Sequence, residues 1–148
     1  MDDDSQLVVS GGDVSLDGPP RVLIADDDRA VRSLLVTVLS RRGYVIDTVQ
    51  NGAEAIEKIA ASEYVAILLD LMMPVVDGYE VIAYLEQTAP RVLSSRVIVL
   101  TAVSNTDLRR LDGKSIFRII RKPFDLTDLA SAVAGCVATP ASAPPPGV

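Results

Sequence analysis

The sequence predicts a doubly wound α/β domain, an open parallel sheet with helices on both faces. Two observations carry this. Five short apolar runs alternate with segments whose apolar residues recur at helical spacing, and strands so separated need crossover connections. The runs Val22-Leu23-Ile24 and 65 to 69 are also apolar on both faces, as strands covered by helices on either side must be.

Taken in order, the strands are expected at Arg21 to Ala25, Tyr44 to Val49, Val65 to Leu69, Arg96 to Leu100 and Ser115 to Ile120. The first helix has the clearest signals. Asp28 can cap it, Val31, Leu34, Leu35, Val38 and Leu39 form one stripe, and Gly43 can end it. Weaker periodicity predicts helices over Ala53 to Ser62 and Gly78 to Thr88, the latter started by a turn at Asp77-Gly78, and a short piece near Thr106 to Leu111. Asn105, Asp107, Asp112 and Gly113 make that short piece a poor helix former. The last helix, Leu126 to Val137, has Asp125 as its cap and Leu126, Leu129, Ala130 and Val133 facing inward.

Residues 21 to 138 form the expected domain. The acidic, Gly-containing segment 1 to 20 and the Pro-rich segment 139 to 148 read as flexible tails, because proline-rich ends build neither sheet nor helix. A chain of 148 residues, 49% hydrophobic, can bury a core without disulfides or a structural metal. The inventory then excludes much chemistry. With no histidine and one cysteine, Cys136, there can be no His-ligated zinc site, no Ser-His-Asp triad and no Cys-His nucleophile pair. Cys136 reads as a buried helix residue. A net charge of -6 disfavours nucleic acid and anionic membranes as partners through bulk charge. With no membrane-spanning run and Asp2, Asp3 and Asp4 where a secretion signal would be basic, the expected location is the cytoplasm.

Ligands of such sheets bind beyond the carboxyl ends of the strands. There the first strand ends in Asp26-Asp27-Asp28, the third in Asp70 and the fourth in Thr101-Ala102, while Lys122-Pro123 follows the fifth. Stacked carboxylates raise one another's pKa unless a cation neutralises them, and carboxylate oxygens with room for waters suit Mg²⁺. Lysine and threonine are then placed to contact phosphoryl oxygens, and the remaining nucleophile is a carboxylate able to form an acyl phosphate. Asp28 reads as a helix cap and stays outside this set.

These residues resemble the response-regulator receiver domains of two-component signalling. The likeness covers roughly residues 21 to 137 and rests on residues 22 to 28 (VLIADDD), 68 to 74 (LLDLMMP), Asp77-Gly78, Val99-Leu100-Thr101-Ala102 and Lys122-Pro123-Phe124, in the family's order and at similar spacings. It implies a flavodoxin-like, five-stranded sheet of order 2-1-3-4-5. It further implies that Asp70 is the phosphoacceptor, and that Mg²⁺ is held by Asp27, Asp70 and the backbone carbonyl of Met72, with Asp26 acting through metal-bound water. Thr101 and Lys122 match the phosphoryl-sensing hydroxyl and amine, and the Lys122-Pro123 bond is expected to be cis. The implied donors are a histidine kinase or a histidine phosphotransfer protein.

One departure concerns the switch. The family's aromatic residue three positions before the lysine is here Ile119, with Phe117 two residues earlier and, by strand alternation, on the same face, which makes Phe117 a candidate partial substitute for the switch. The expected function is a stand-alone receiver signalling through its binding surface to another protein or by homodimerisation, and not a conventional enzyme. Two alternatives stand beside it. One is a docking domain whose switch is decoupled by Ile119. The other is a Mg²⁺-dependent aspartyl-phosphate phosphatase, disfavoured because Met72 occupies the place of its second acid. Arg109, Arg110, Lys114, Arg118 and Arg121 form a basic cluster that is either a solvated face or a patch for an acidic partner.

Overall fold

A computed structural model of the protein describes residues 18–140. The elements, in chain order, are β1 (Arg21–Ala25), α1 (Arg29–Ser40), β2 (Val45–Val49), α2 (Gly52–Ala61), β3 (Ala66–Asp70), α3 (Gly78–Thr88), α4 (Pro90–Arg96), β4 (Val97–Thr101), α5 (Asn105–Leu108), β5 (Arg118–Arg121) and α6 (Leu126–Ala138). All strand pairings are parallel and the order is β2-β1-β3-β4-β5, the expected doubly wound sheet. The two expected tails fall mostly on residues 1–17 and 141–148, outside the described residues.

The apolar runs explain the layering. Alternate residues of β1, β3 and β4 point to opposite faces, and each face is buried by its own pair or trio of helices. Val22, Ile24, Leu68, Ile98 and Leu100 pack against Leu35 and Leu39 of α1 and Leu129 and Val133 of α6. Leu23, Ile67, Leu69 and Val99 pack against Ala55 of α2, Ile82 and Leu85 of α3 and Leu93 of α4. Cys136 is fully buried in the first of these layers, as expected of a packing residue.

Caps set the helix starts that border the site. The Asp28 carboxylate accepts the N–H groups of Ala30 at 2.9 Å and Val31 at 3.2 Å, so it is spent on α1, a contribution of about 1 kcal/mol. Asp77 and Glu80 form a reciprocal capping box at α3, and Asp125 caps α6. Gly43, at φ +93°, turns the chain from α1 into β2.

Several boundaries differ from the sequence reading. β3 and β4 each run one residue further, which carries Asp70 and Thr101 into the ends of their strands. The helix α4 was not expected. It forms because Pro90 occupies a first-turn position where its missing N–H costs nothing, while Leu93, Ser94 and Ser95 bury against the sheet. The segment near Thr106 to Leu111 is a single α-turn, α5, followed by a 3₁₀ turn at Arg109–Leu111, with only Leu111 buried. β5 begins at Arg118 and not at Ser115, because a turn at Gly113, φ +80°, precedes it.

Candidate functional site

Asp26 follows β1 directly, and its backbone N–H is held by the Val49 carbonyl at 3.2 Å. Its side chain is almost fully buried, with both oxygens engaged. Oδ1 accepts the Asp28 N–H at 2.9 Å and Oδ2 accepts from Lys122 Nζ at 2.8 Å. Asp70, also buried, ends β3; its Oδ1 accepts the Met72 N–H at 3.2 Å, and its Oδ2 lies 3.5 Å from Lys122 Nζ. Asp27 is exposed at the mouth, yet one carboxylate oxygen from each of Asp26, Asp27 and Asp70 lies within 4.8 Å of the others. Lys122 reaches this cluster from the end of β5, where its N–H bonds to the Thr101 carbonyl at 2.8 Å and the following Lys122-Pro123 peptide is cis.

The structure therefore brings together Asp26, Asp27, Asp70 and Lys122. Thr101 ends the neighbouring strand, fully buried, its Oγ1 accepting the Val103 N–H at 3.1 Å. Asp28 stays apart as a cap. Phe117 corrects the sequence reading. Alternation would place it beside Ile119, but the chain turns before β5, so Phe117 packs on the α1–α6 face with its ring against Gly135. Ile119 pairs in register with Val99, on the opposite face, and is 41% exposed. Among the described residues no aromatic side chain thus takes the switch position.

Three features of the site were not read from the sequence. Arg32, one turn into α1, donates to the Asp26 carbonyl at 2.8 Å and braces the acidic loop. Arg121 donates to the Val103 carbonyl at 3.2 Å, so Thr101, Val103 and Arg121 form a hydrogen-bonded chain from the site to the sheet edge. Gly78 lies so close to Asp70 that a Cβ would sit 2.3 Å from its carbonyl oxygen. Only glycine lets α3 start there, which explains why a glycine follows the capping Asp77. The side chain of Arg32 and the contacts of Gly78 are tertiary features with no periodic signal.

Electrostatics favour a cation. Three carboxylates face one ammonium, leaving a surplus of negative charge in a confined space. Burial, and then the neighbouring Asp26 carboxylate, push the Asp70 carboxyl up to about 6, against the opposing pull of Lys122 and the Met72 N–H. Burial works to lower the pKa of Lys122, but its bonds to Asp26 and the charges of both aspartates outweigh it, so the ammonium is retained. A hard divalent ion with carboxylate and water ligands fits this donor set, because it would neutralise the surplus charge without requiring nitrogen or sulfur ligands.

A pH dependence follows. In the metal-free chain the folded state binds the Asp70 proton more tightly than the unfolded state does, so this group makes stability fall as pH rises from about 4 to about 6. A divalent ion bound through Asp70 would compete with that proton. Its apparent affinity should rise about tenfold per pH unit up to pH 6 and then level off, as calorimetric titrations between pH 5 and 8 would show. An affinity flat across that range would contradict the assignment of Asp70 as a ligand.

This fold and site define a signalling receiver domain. Residues 22–134 match the response regulator receiver domain family, and the chain belongs to it. Among curated relatives, the response regulator MprA of Mycolicibacterium vanbaalenii is 39% identical over 115 residues, covering 75% of this chain and 47% of that protein. MprA of Mycobacterium bovis is 38% identical over 113 residues, with 74% and 46% covered. The chain thus spans about half the length of these relatives. Among solved structures, the response regulator TrrA of Thermotoga maritima in complex with Mg²⁺ and BeF superposes with a TM-score of 0.68 at 31% identity, covering 79% of this chain and 98% of that one. The receiver domain of a signal transduction histidine kinase from Syntrophus aciditrophicus gives 0.73 at 29% identity, covering 80% and 90%.

Proposed function

We propose that this receiver accepts a phosphoryl group on Asp70 from a histidine kinase or histidine phosphotransfer protein in the cytoplasm and signals by changing its binding surface. The observation that carries the reading is the convergence of Asp26, Asp27, Asp70 and Lys122 at one strand mouth. Among the described residues no helix is long and apolar enough to cross a membrane.

In this reading an Asp70 carboxylate oxygen attacks phosphorus while the bond from phosphorus to the donor's imidazole nitrogen breaks, leaving a mixed anhydride on Asp70 and a free imidazole on the donor. Asp27, Asp70 and the Met72 carbonyl would hold Mg²⁺, with Asp26 acting through water, since both Asp26 oxygens already accept hydrogen bonds. The ion supplies charge neutralisation at the phosphoryl oxygens. Lys122 Nζ already sits between Asp26 and Asp70 and is placed to donate to the new group. Thr101 is the hydroxyl expected to follow it. Any movement of Thr101 acts on the Val103 amide and so on Arg121, which gives the signal a route to the sheet edge without an aromatic switch.

Incubation with acetyl phosphate and Mg²⁺ should give one acid-labile phosphate per chain, and chelation of the metal should prevent it. Labelling that is absent, or indifferent to chelation, would refute the reading. The proposal covers residues 21–138 and assigns no output module.

A further inference from the structure

We propose that the edge surface formed by Arg109, Arg110, Ile119 and Arg121, with Arg118 at its rim, docks an acidic segment of a partner protein. This deepens the receiver reading, on which it rests for its biological sense, by naming the chemistry of the output partner.

Charge segregation carries the argument. Eight of the chain's fourteen Lys and Arg lie between residues 90 and 122, together with only two of its twenty Asp and Glu, in a protein of net charge -6. Those residues make up α4, β4, α5 and β5, with β5 the edge strand of the sheet. Arg109, Arg110, Arg118 and Arg121 are exposed, and among the described residues no carboxylate pairs with any of them. The acids that could have neutralised the face are engaged or too few. Glu86 is taken by Lys114 at 2.9 Å, which leaves Asp107 and Asp112 against four arginines.

The guanidiniums are also held in place. Arg110 stacks 3.6 Å above the ring of Tyr79, whose hydroxyl donates to the Asp107 carbonyl, and Arg121 is fixed on Val103. Ordered arginines lose less freedom on pairing with carboxylates, and Ile119, 41% exposed on the edge strand, offers an aliphatic contact among them. A second copy is a poor occupant, because two-fold pairing of this face offers its four arginines only Asp107 and Asp112 as counter-charges on each side. Nucleic acid is also disfavoured, since eighteen of the twenty acids lie elsewhere on the chain and a longer polyanion would run on to them. An acidic polypeptide segment fits both limits.

The test is an amide NMR titration of the full, unphosphorylated chain with a 20-residue oligoglutamate, repeated with single-stranded DNA of equal length, plus sedimentation of the chain alone. Shifts should centre on residues 105–121. Affinity should fall about tenfold or more in Arg109→Glu/Arg118→Glu, be retained in Arg109→Lys/Arg118→Lys, and be unaffected by Arg41→Glu/Arg42→Glu on the far end of α1. Equal losses in both reversal pairs would reduce the effect to bulk charge and overturn the proposal. So would tighter binding of DNA, self-association that Arg109→Glu/Arg118→Glu alters, or no binding at all, which would leave the arginines as edge protection. Because no phosphoryl group is present, failure here leaves the phosphoacceptor assignment to its own labelling test.

Discussion

Asp70→Asn should abolish acid-labile phosphorylation completely while leaving the fold intact. The substitution keeps the shape of the side chain and its acceptor toward the Met72 N–H, but removes the only acid that ends β3 beneath Lys122. It should also stabilise the metal-free chain near pH 7, by roughly 1–2 kcal/mol after allowance for solvent screening, because a buried carboxylate with its pKa pushed up to about 6 carries its charge at a cost. Stabilisation by Mg²⁺ should fall with it, since the asparagine offers the ion no charge. The two readouts separate the roles. A variant that melts higher but still takes up label would show that a different residue is the acceptor.

Loss of the phosphoryl group should accelerate by about tenfold or more in Met72→Asn/Val103→Glu. Met72, 60% exposed, and Val103 flank the site two residues beyond Asp70 and Thr101, and neither side chain can hold an attacking water by a hydrogen bond. The wild-type phosphoryl group should therefore be long-lived. Val103 is largely buried and its backbone is tied to both Thr101 and Arg121, so Met72→Asn alone serves as the control that disturbs no packing. Following phosphate release after acetyl phosphate labelling decides the matter. Loss that is faster in the wild type than in both variants would contradict the water-exclusion argument.

Much of this was legible in the residues, for identifiable reasons. The runs at β1, β3 and β4 are apolar on both faces, which only a covered parallel strand explains, and Asp26, Asp70 and Thr101 punctuate their ends. Asp28, Asp77 and Asp125 announce helix starts through capping chemistry that is local in the chain. What failed was non-local or irregular. α4 stayed hidden because Ser94 and Ser95 interrupt any apolar periodicity in this short segment, whereas in the structure the backbone carbonyl of Arg91 takes a hydrogen bond from each of their hydroxyls. Phe117 was misplaced because the period-two rule was carried back across the turn that precedes β5. The bracing of Asp26 by Arg32 and the tie from Arg121 to Val103 join residues whose proximity depends on the finished sheet.

The most direct measurement is a crystal structure of the chain grown with Mg²⁺ and beryllofluoride. The account predicts an ion touching Asp27 and Asp70, the fluoride group on Asp70, and Lys122 Nζ and the Thr101 hydroxyl both directed at it. Carboxyl groups with no metal between them, and an ammonium turned outward to solvent, would contradict it.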